Sequence, residues 1–160
     1  PLGKFYQGYN FFNKNSELLD DIKIHRSRII PRFNGGKIGL IFNYISFVIF
    51  GSLKLLSING KFDRVFIFAP SPVTVGIIGI IAAKKFQVKS YLWVQDLWPE
   101  SVAIGGNIRN KLILNLINLL TKLIYKYIDV ILVQSEYFIE YIYAQGVPKN
   151  KICYLPNYAS

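Results

Sequence analysis

The segment Tyr91-Leu-Trp-Val-Gln-Asp-Leu-Trp-Pro-Glu-Ser101 decides how this chain is read. An apolar run of buried-strand character stops abruptly at Gln95 and Asp96. Trp98, Pro99, Glu100 and Ser101 follow, where a helix should start. A hydrophobic strand that ends in polar and aromatic groups is how an α/β protein presents chemistry at the edge of its sheet.

The same alternation extends outward. Short apolar runs at Val65–Ala69, Ser90–Gln95, Asp129–Gln134 and Lys151–Leu155 read as buried strands. Between them lie helical patterns. Val73–Phe86 has Ser71 as its N-cap and Pro72 at its first helical position. Lys111–Ile128 carries Lys111, Asn115, Asn118, Lys122 and Lys126 on one narrow polar stripe. Ser135 caps a third helix, with Glu136 in its first turn, and Gly146 and Pro148 stop it. Buried strands alternating with helices imply parallel βαβ units with helices on both faces, a doubly wound, Rossmann-like α/β domain.

Upstream, roughly the first 16 residues read as a loop. Ile22–Ile29 alternates apolar and polar residues, which predicts a strand with one wet face near a sheet edge. Pro31 and Asn34-Gly35-Gly36 end it. Lys37–Ile58 is long and apolar enough to cross a membrane. Asn43, Ser46 and Lys54 fall on one helical face, however, which suits a helix lying on a sheet.

Hydrophobic residues make up 52% of the chain and aromatics 16%, so the chain is not a disordered one. The net charge of +10 suits an anionic partner: nucleic acid, a phosphorylated or nucleotide substrate, or an anionic membrane. The basic residues are dispersed and form no aromatic-interleaved stripe, so nucleic acid is not expected. One Cys and one His leave no disulfide and no Cys/His metal set, and we expect Cys153 to be a buried thiol. The chain has no Met and begins Pro1-Leu2-Gly3, from which we expect a piece of a longer protein. No Walker-type loop, nucleophile elbow or GxGxxG is present.

Ligands of a parallel sheet bind outside the carboxyl ends of its strands. Those ends supply Ser71; Gln95, Asp96, Trp98 and Glu100; Gln134, Ser135 and Glu136; and Asn157. Each has a plainer explanation. Ser71 and Ser135 serve as helix caps without any ligand. Asp96 is either a site carboxylate or a structural one bonded to loop amides. Glu100 at a helix start is favourable for dipole reasons alone. Trp98 is a core anchor or a stacking platform. His25, beside Arg26 and Arg28 on an alternating strand, reads as solvated rather than catalytic.

Taken in order, Pro70-Ser-Pro72, Tyr91–Ser101, Val133-Gln-Ser-Glu136 and Leu155-Pro-Asn157 resemble the N-terminal domain of retaining, family-four GT-B glycosyltransferases. The likeness is strongest to the bacterial branch that builds O-antigen and capsular polysaccharide, such as N-acetyl-fucosaminyl transferases. Pro1-Leu-Gly-Lys-Phe-Tyr-Gln-Gly-Tyr9 resembles a loop of that branch, and Asn43-Tyr-Ile-Ser-Phe47 its first long helix.

The resemblance implies that the family's first βαβ would precede Pro1. The C-terminal domain, which holds most of the nucleotide-sugar site, would follow Ser160. This half would receive the acceptor, often a polyprenyl-diphosphate-linked sugar at the inner membrane. Asp96 would be catalytic. Gln95 would line the cleft by hydrogen bonding only: many relatives carry a His there, and a Gln cannot act as a proton carrier. Trp98 and Glu100 would shape the wall, with Ser71, Ser135, Glu136 and Asn157 also toward substrate.

The expected partners are a nucleotide-sugar donor, a lipid-linked glycan acceptor and the inner-membrane surface, with no cofactor and no metal. The expected place is cytoplasmic, peripheral at the inner face of the membrane. Two alternatives stay open: a stand-alone α/β binding module completed by a separate donor-domain partner, and a small nucleotide-sugar-modifying enzyme. The second would need a glycine-rich phosphate loop, and the chain shows none.

Overall fold

A computed structural model describes all residues except 1–4, 6, 13–15, 34, 35, 106, 159 and 160. The chain divides into two units, Pro1–Gly60 and Lys61–Ser160.

In the first unit, β1 (Ser16–Leu19) and β2 (Ile22–His25) form an antiparallel hairpin, with Ser16 opposite His25 and Leu19 opposite Ile22. Asp20 and Asp21 make the turn at φ 46° and 65°. Positive φ at both central positions matches the twist of paired strands, and aspartate tolerates it better than most residues. The predicted strand Ile22–Ile29 is therefore shorter than expected. Among the described residues its ladder ends at His25, opposite Ser16.

Helix α1 spans Lys37–Leu56. Asn43 Nδ2 donates to the Ile30 carbonyl (2.7 Å), and the Ile30 N–H donates to Ser46 Oγ (2.9 Å). Two of the polar residues expected to lay this helix on a sheet instead hold the peptide at Ile30. Ile38, Ile45, Ile49 and Leu56 are exposed, and α1 is long and apolar enough to cross a membrane by length and composition.

The second unit is α/β: a four-stranded parallel sheet flanked by helices, an arrangement compatible with a Rossmann-like sheet. Its strands are β3 (Arg64–Ala69), β4 (Lys89–Val94), β5 (Val130–Val133) and β6 (Ile152–Tyr154), paired in that order. The order does not reverse among the described strands. The connections are α2 (Val75–Phe86), α3 (Glu100–Gly105) with α4 (Lys111–Tyr127), and α5 (Glu136–Ala144) with a short 3-10 turn. Right-handed crossovers between consecutive strands bring their helices to the same face. That face holds the core: Leu92, Val94, Ile131 and Val133 are at most 1% exposed. The other face carries Phe66 and Phe68, both exposed, with their rings against Trp93. Helices on both faces were expected; among the connections of this unit, consecutive strand order gathers them on one.

Among the described strands β6 pairs with β5 alone, and Cys153 on it is exposed rather than buried as the sequence suggested. A strand read as fully buried is the sheet's outer member among those described, so only Ile152 turns into the core. Asn110 caps α4, its Oδ1 accepting from the N–H groups of Leu112 (2.9 Å) and Ile113 (3.3 Å).

Two glycines allow α2 to sit close to its neighbours. A Cβ on Gly76 would lie 2.6 Å from Ile124 Cγ2 on α4, and one on Gly79 would overlap the Ile67 side chain on β3. Gly79→Ala should therefore destabilise the protein by about 1–3 kcal/mol in urea denaturation, although alanine is the better helix former. Neutral or stabilised behaviour would show that α2 can lift off β3 freely.

Buried Ser90 is tied to Asp129 across the amino ends of β4 and β5. Its N–H and Oγ donate to Asp129 Oδ2 (2.8 and 2.7 Å), and its Oγ accepts from the Asp129 N–H (3.0 Å). Burial alone would raise the Asp129 pKa. The hydrogen bonds from Ser90 and the positive charges of Lys151 and Lys89 outweigh it and hold the carboxyl below its ordinary value. The stabilisation is thus fully present above the ordinary carboxylate range and is lost as pH falls through the depressed folded value. Ser90→Ala should lower stability by about 1–2 kcal/mol at neutral pH. Acidification into that window should cost the parent more than the variant, as read from urea midpoints.

Candidate functional site

The sheet ladder runs one residue past its strands at the carboxyl edge. Gln95 N–H donates to the Ala69 carbonyl (3.2 Å), and Leu155 N–H donates to the Val133 carbonyl (2.8 Å). Trp93 Nε1 donates to the Leu155 carbonyl (3.0 Å), which fixes the segment leading to Asn157. With these backbones locked, side chains from the ends of β4, β5 and β6 meet. Asn157 Nδ2 donates to Gln95 Oε1 (2.7 Å) and to Gln134 Oε1, while Gln134 Nε2 donates to the Gln95 carbonyl (3.1 Å). Gln95 Nε2 is buried and has no hydrogen-bond partner among the described residues. An unmet buried donor is costly, and a ligand oxygen or a water placed there would relieve that cost.

A second polar group lies among the helices that follow. Tyr141 Oη on α5 donates to Glu100 Oε2 at the start of α3, and Gln145 Nε2 donates to Tyr141 Oη (2.8 Å). Burial, reinforced by the hydrogen bond and charge of Glu100, pushes the Tyr141 hydroxyl well above its ordinary pKa. Tyr125 on α4 is fully buried. Burial and then the negative charges of Glu100 and Asp96 push its hydroxyl up too. Both phenols stay protonated in neutral solution; Tyr141 donates to Glu100, while the Tyr125 hydroxyl is buried without a hydrogen-bond partner among the described residues.

The residues singled out from sequence fare differently. Gln95 and Asn157 are joined directly. Asp96 is half-buried and follows Gln95 in the loop between β4 and α3. Glu100 is exposed and engaged by Tyr141. Trp98 is 6% exposed, so of its two readings the core anchor holds.

Ser71 is not the cap of α2. That helix starts at Val75 with Thr74 as its N-cap, and the Ser71-Pro72 peptide is cis. Pro72 and Val73 turn into the core first, and a turn closed by Val75 N–H on the Pro72 carbonyl (3.3 Å) precedes the helix. Ser71 is left exposed. Ser135 does occupy the N-cap position of α5, but its side chain makes no capping bond. Glu136 is exposed in the first turn. Among the described residues, no hydrogen bond joins Ser71 or Glu136 to the amide cluster.

Reading only strand ends found Gln134 without recognising its bonds. It missed Tyr125, Tyr141 and Gln145 altogether, because the first two sit inside helices and the third just past the end of α5, none of them at a strand end. His25 lies on β2 in the first unit. Partial burial, then the charges of Lys23 and Lys54, pull its pKa below the ordinary value.

No protein-family model matches the chain, and no curated protein matches it. The geometry must therefore speak for itself. Three carboxamides present fixed donors and acceptors at one edge, with Asp96 next in the chain to Gln95. Such an arrangement suits a polyhydroxylated ligand. Among the described residues, no group of three or more His, Cys, Asp and Glu side chains is placed to hold a metal ion.

Trp98 and Asp96 separate core from site. Trp98→Ala should cost about 3–5 kcal/mol of stability, whereas Asp96→Ala should change it by no more than about 1 kcal/mol. Equal losses in chemical denaturation would make Asp96 a structural carboxylate.

Proposed function

We propose that the chain is the acceptor-binding half of a GT-B glycosyltransferase that moves a sugar from a nucleotide-sugar donor to a lipid-linked glycan. The observation that carries this reading is the convergence of Gln95, Gln134 and Asn157 at the carboxyl edge of the parallel sheet, next to Asp96. Carboxamides in fixed orientation are suited to sorting sugar hydroxyls. The resemblance of Tyr91–Ser101 and Leu155-Pro-Asn157 to that family adds the reaction class. The charge of +10 supports an anionic acceptor such as a polyprenyl-diphosphate sugar, met at the inner face of the cytoplasmic membrane.

In this reading Asp96 is the charged group nearest the reacting sugar, and Gln95 hydrogen-bonds without carrying a proton. Glu100 and Trp98 hold the loop that presents Asp96, through Tyr141 and the core respectively. Ser71, Ser135 and Glu136 border the same edge. A separate donor domain would bind the nucleotide sugar and stabilise most of the leaving phosphate's charge. A second reading, a binding module completed by another polypeptide, draws on the same amide cluster, since carboxamides hold a ligand but move no proton.

The test begins with the chain itself. Titration with a short-chain, water-soluble polyprenyl-diphosphate sugar should shift the NMR signals of Gln95, Gln134 and Asn157. Absence of shifts there would sink the acceptor assignment. In the protein that joins this chain to a donor domain, Asp96→Asn should cut transfer by more than about tenfold with little change in thermal midpoint. Transfer that survives the substitution would remove Asp96 from the chemistry.

A further inference from the structure

Helix α4 carries a face that the sheet does not explain. Its inward side, at Thr121, Ile124 and Tyr125, is buried. The opposite side presents Leu112, Leu116, Leu119 and Leu123, spaced by four, three and four residues, which is one line along a helix. These leucines are 74%, 67%, 55% and 43% exposed. Single exposed leucines are ordinary, but a continuous line of them marks a contact surface.

Beside that line runs a basic one. Lys111, Lys122 and Lys126 lie on the adjoining strip, all exposed, and the helix contains no Asp or Glu. At its carboxyl end, the Tyr127 ring is flanked by Lys84 Nζ from α2 (5.2 Å to the ring centre) and Lys126 Nζ (5.8 Å). The same end opens onto a cavity of about 420 Å³ whose lining includes Lys126, Tyr127, Asn150 and Lys151. Asp129 also lines it, but its carboxylate is held by Ser90.

We propose that this face of α4 docks the protein on an anionic lipid bilayer. The leucines enter the acyl boundary, the lysines lie at phosphate level, and the cavity receives a headgroup. The inference rests on the membrane-surface part of the function proposed above and names the element responsible. A second copy of the chain is the weaker occupant. Two α4 helices meeting through these leucines would bring their lysines together with no acidic residue on either to offset them. A bilayer containing phosphatidylglycerol supplies negative charge along the whole strip.

Co-sedimentation of the 160-residue chain with vesicles tests this. One set holds phosphatidylglycerol mixed into phosphatidylcholine; the other is phosphatidylcholine alone. The chain should bind the first set, less so as salt rises. Leu116→Ser with Leu119→Ser should weaken that binding by at least about tenfold. Lys122→Glu with Lys126→Glu should abolish the preference for phosphatidylglycerol. Circular dichroism checks folding, and if the leucine pair fails to fold, the lysine pair decides alone.

No binding by the parent, or equal binding to both vesicle types, overturns the proposal. So does unchanged binding by the leucine variant, which would move the contact elsewhere, α1 included. Self-association that vanishes in that variant while vesicle binding persists would assign the face to a second copy. The vesicles contain no sugar, so these outcomes stand apart from the transferase reading, which holds or fails on the acceptor titration.

Discussion

The parallel pairing of β4 with β3 and β5 is the constraint on which the rest of the second unit depends. Leu92 and Val94 face Ile131 and Val133 through that pairing, and all four are essentially sealed from water. Because side chains alternate across a sheet, a slip of one residue would turn that whole set to the opposite face. The register therefore resists change. It also determines where the strands stop, and so where Gln95, Gln134 and Asn157 are delivered.

The two ends of the sheet do different work. At the amino ends, Ser90 and Asp129 satisfy each other in a closed set of hydrogen bonds and keep the β4 and β5 starts aligned. At the carboxyl ends, the amide cluster is not closed, and Gln95 retains an unmet buried donor. Stability is concentrated where hydrogen bonding is complete. The unmet donor lies where it is not. The helices serve the same division: glycines at 76 and 79 let α2 settle on the core, while α4 spends one face on Ile124 and Tyr125 and leaves the other to solvent.

Much of this was legible in advance. The four short apolar runs of the second unit became strands within a residue or so, because each is too short for a helix and is bounded by turn or polar residues; that one face of the sheet stays exposed was not legible. The break after Val94 marked the end of β4, where Gln95 meets Gln134 and Asn157. The hairpin at Ser16–His25 was not legible, since Asp20-Asp21 is not the usual turn pair and β1 carries little alternation. Ser71 misled because a serine before a proline matches a helix start, while burial of Pro72 and Val73 was decided by the core.

Sequence alone thus determined the alternation of strands and helices, where the strands end, and the polar residue types available at those ends. These follow from local periodicity and from where apolar runs end. Tertiary structure alone decided that Tyr141 would reach Glu100 across 41 positions, that Asn157 would bridge two glutamines, and that Cys153 would lie exposed on β6. It also decided which face of α4 was buried. Both sides of that helix offer apolar residues, and only the placement of neighbouring elements chooses between them.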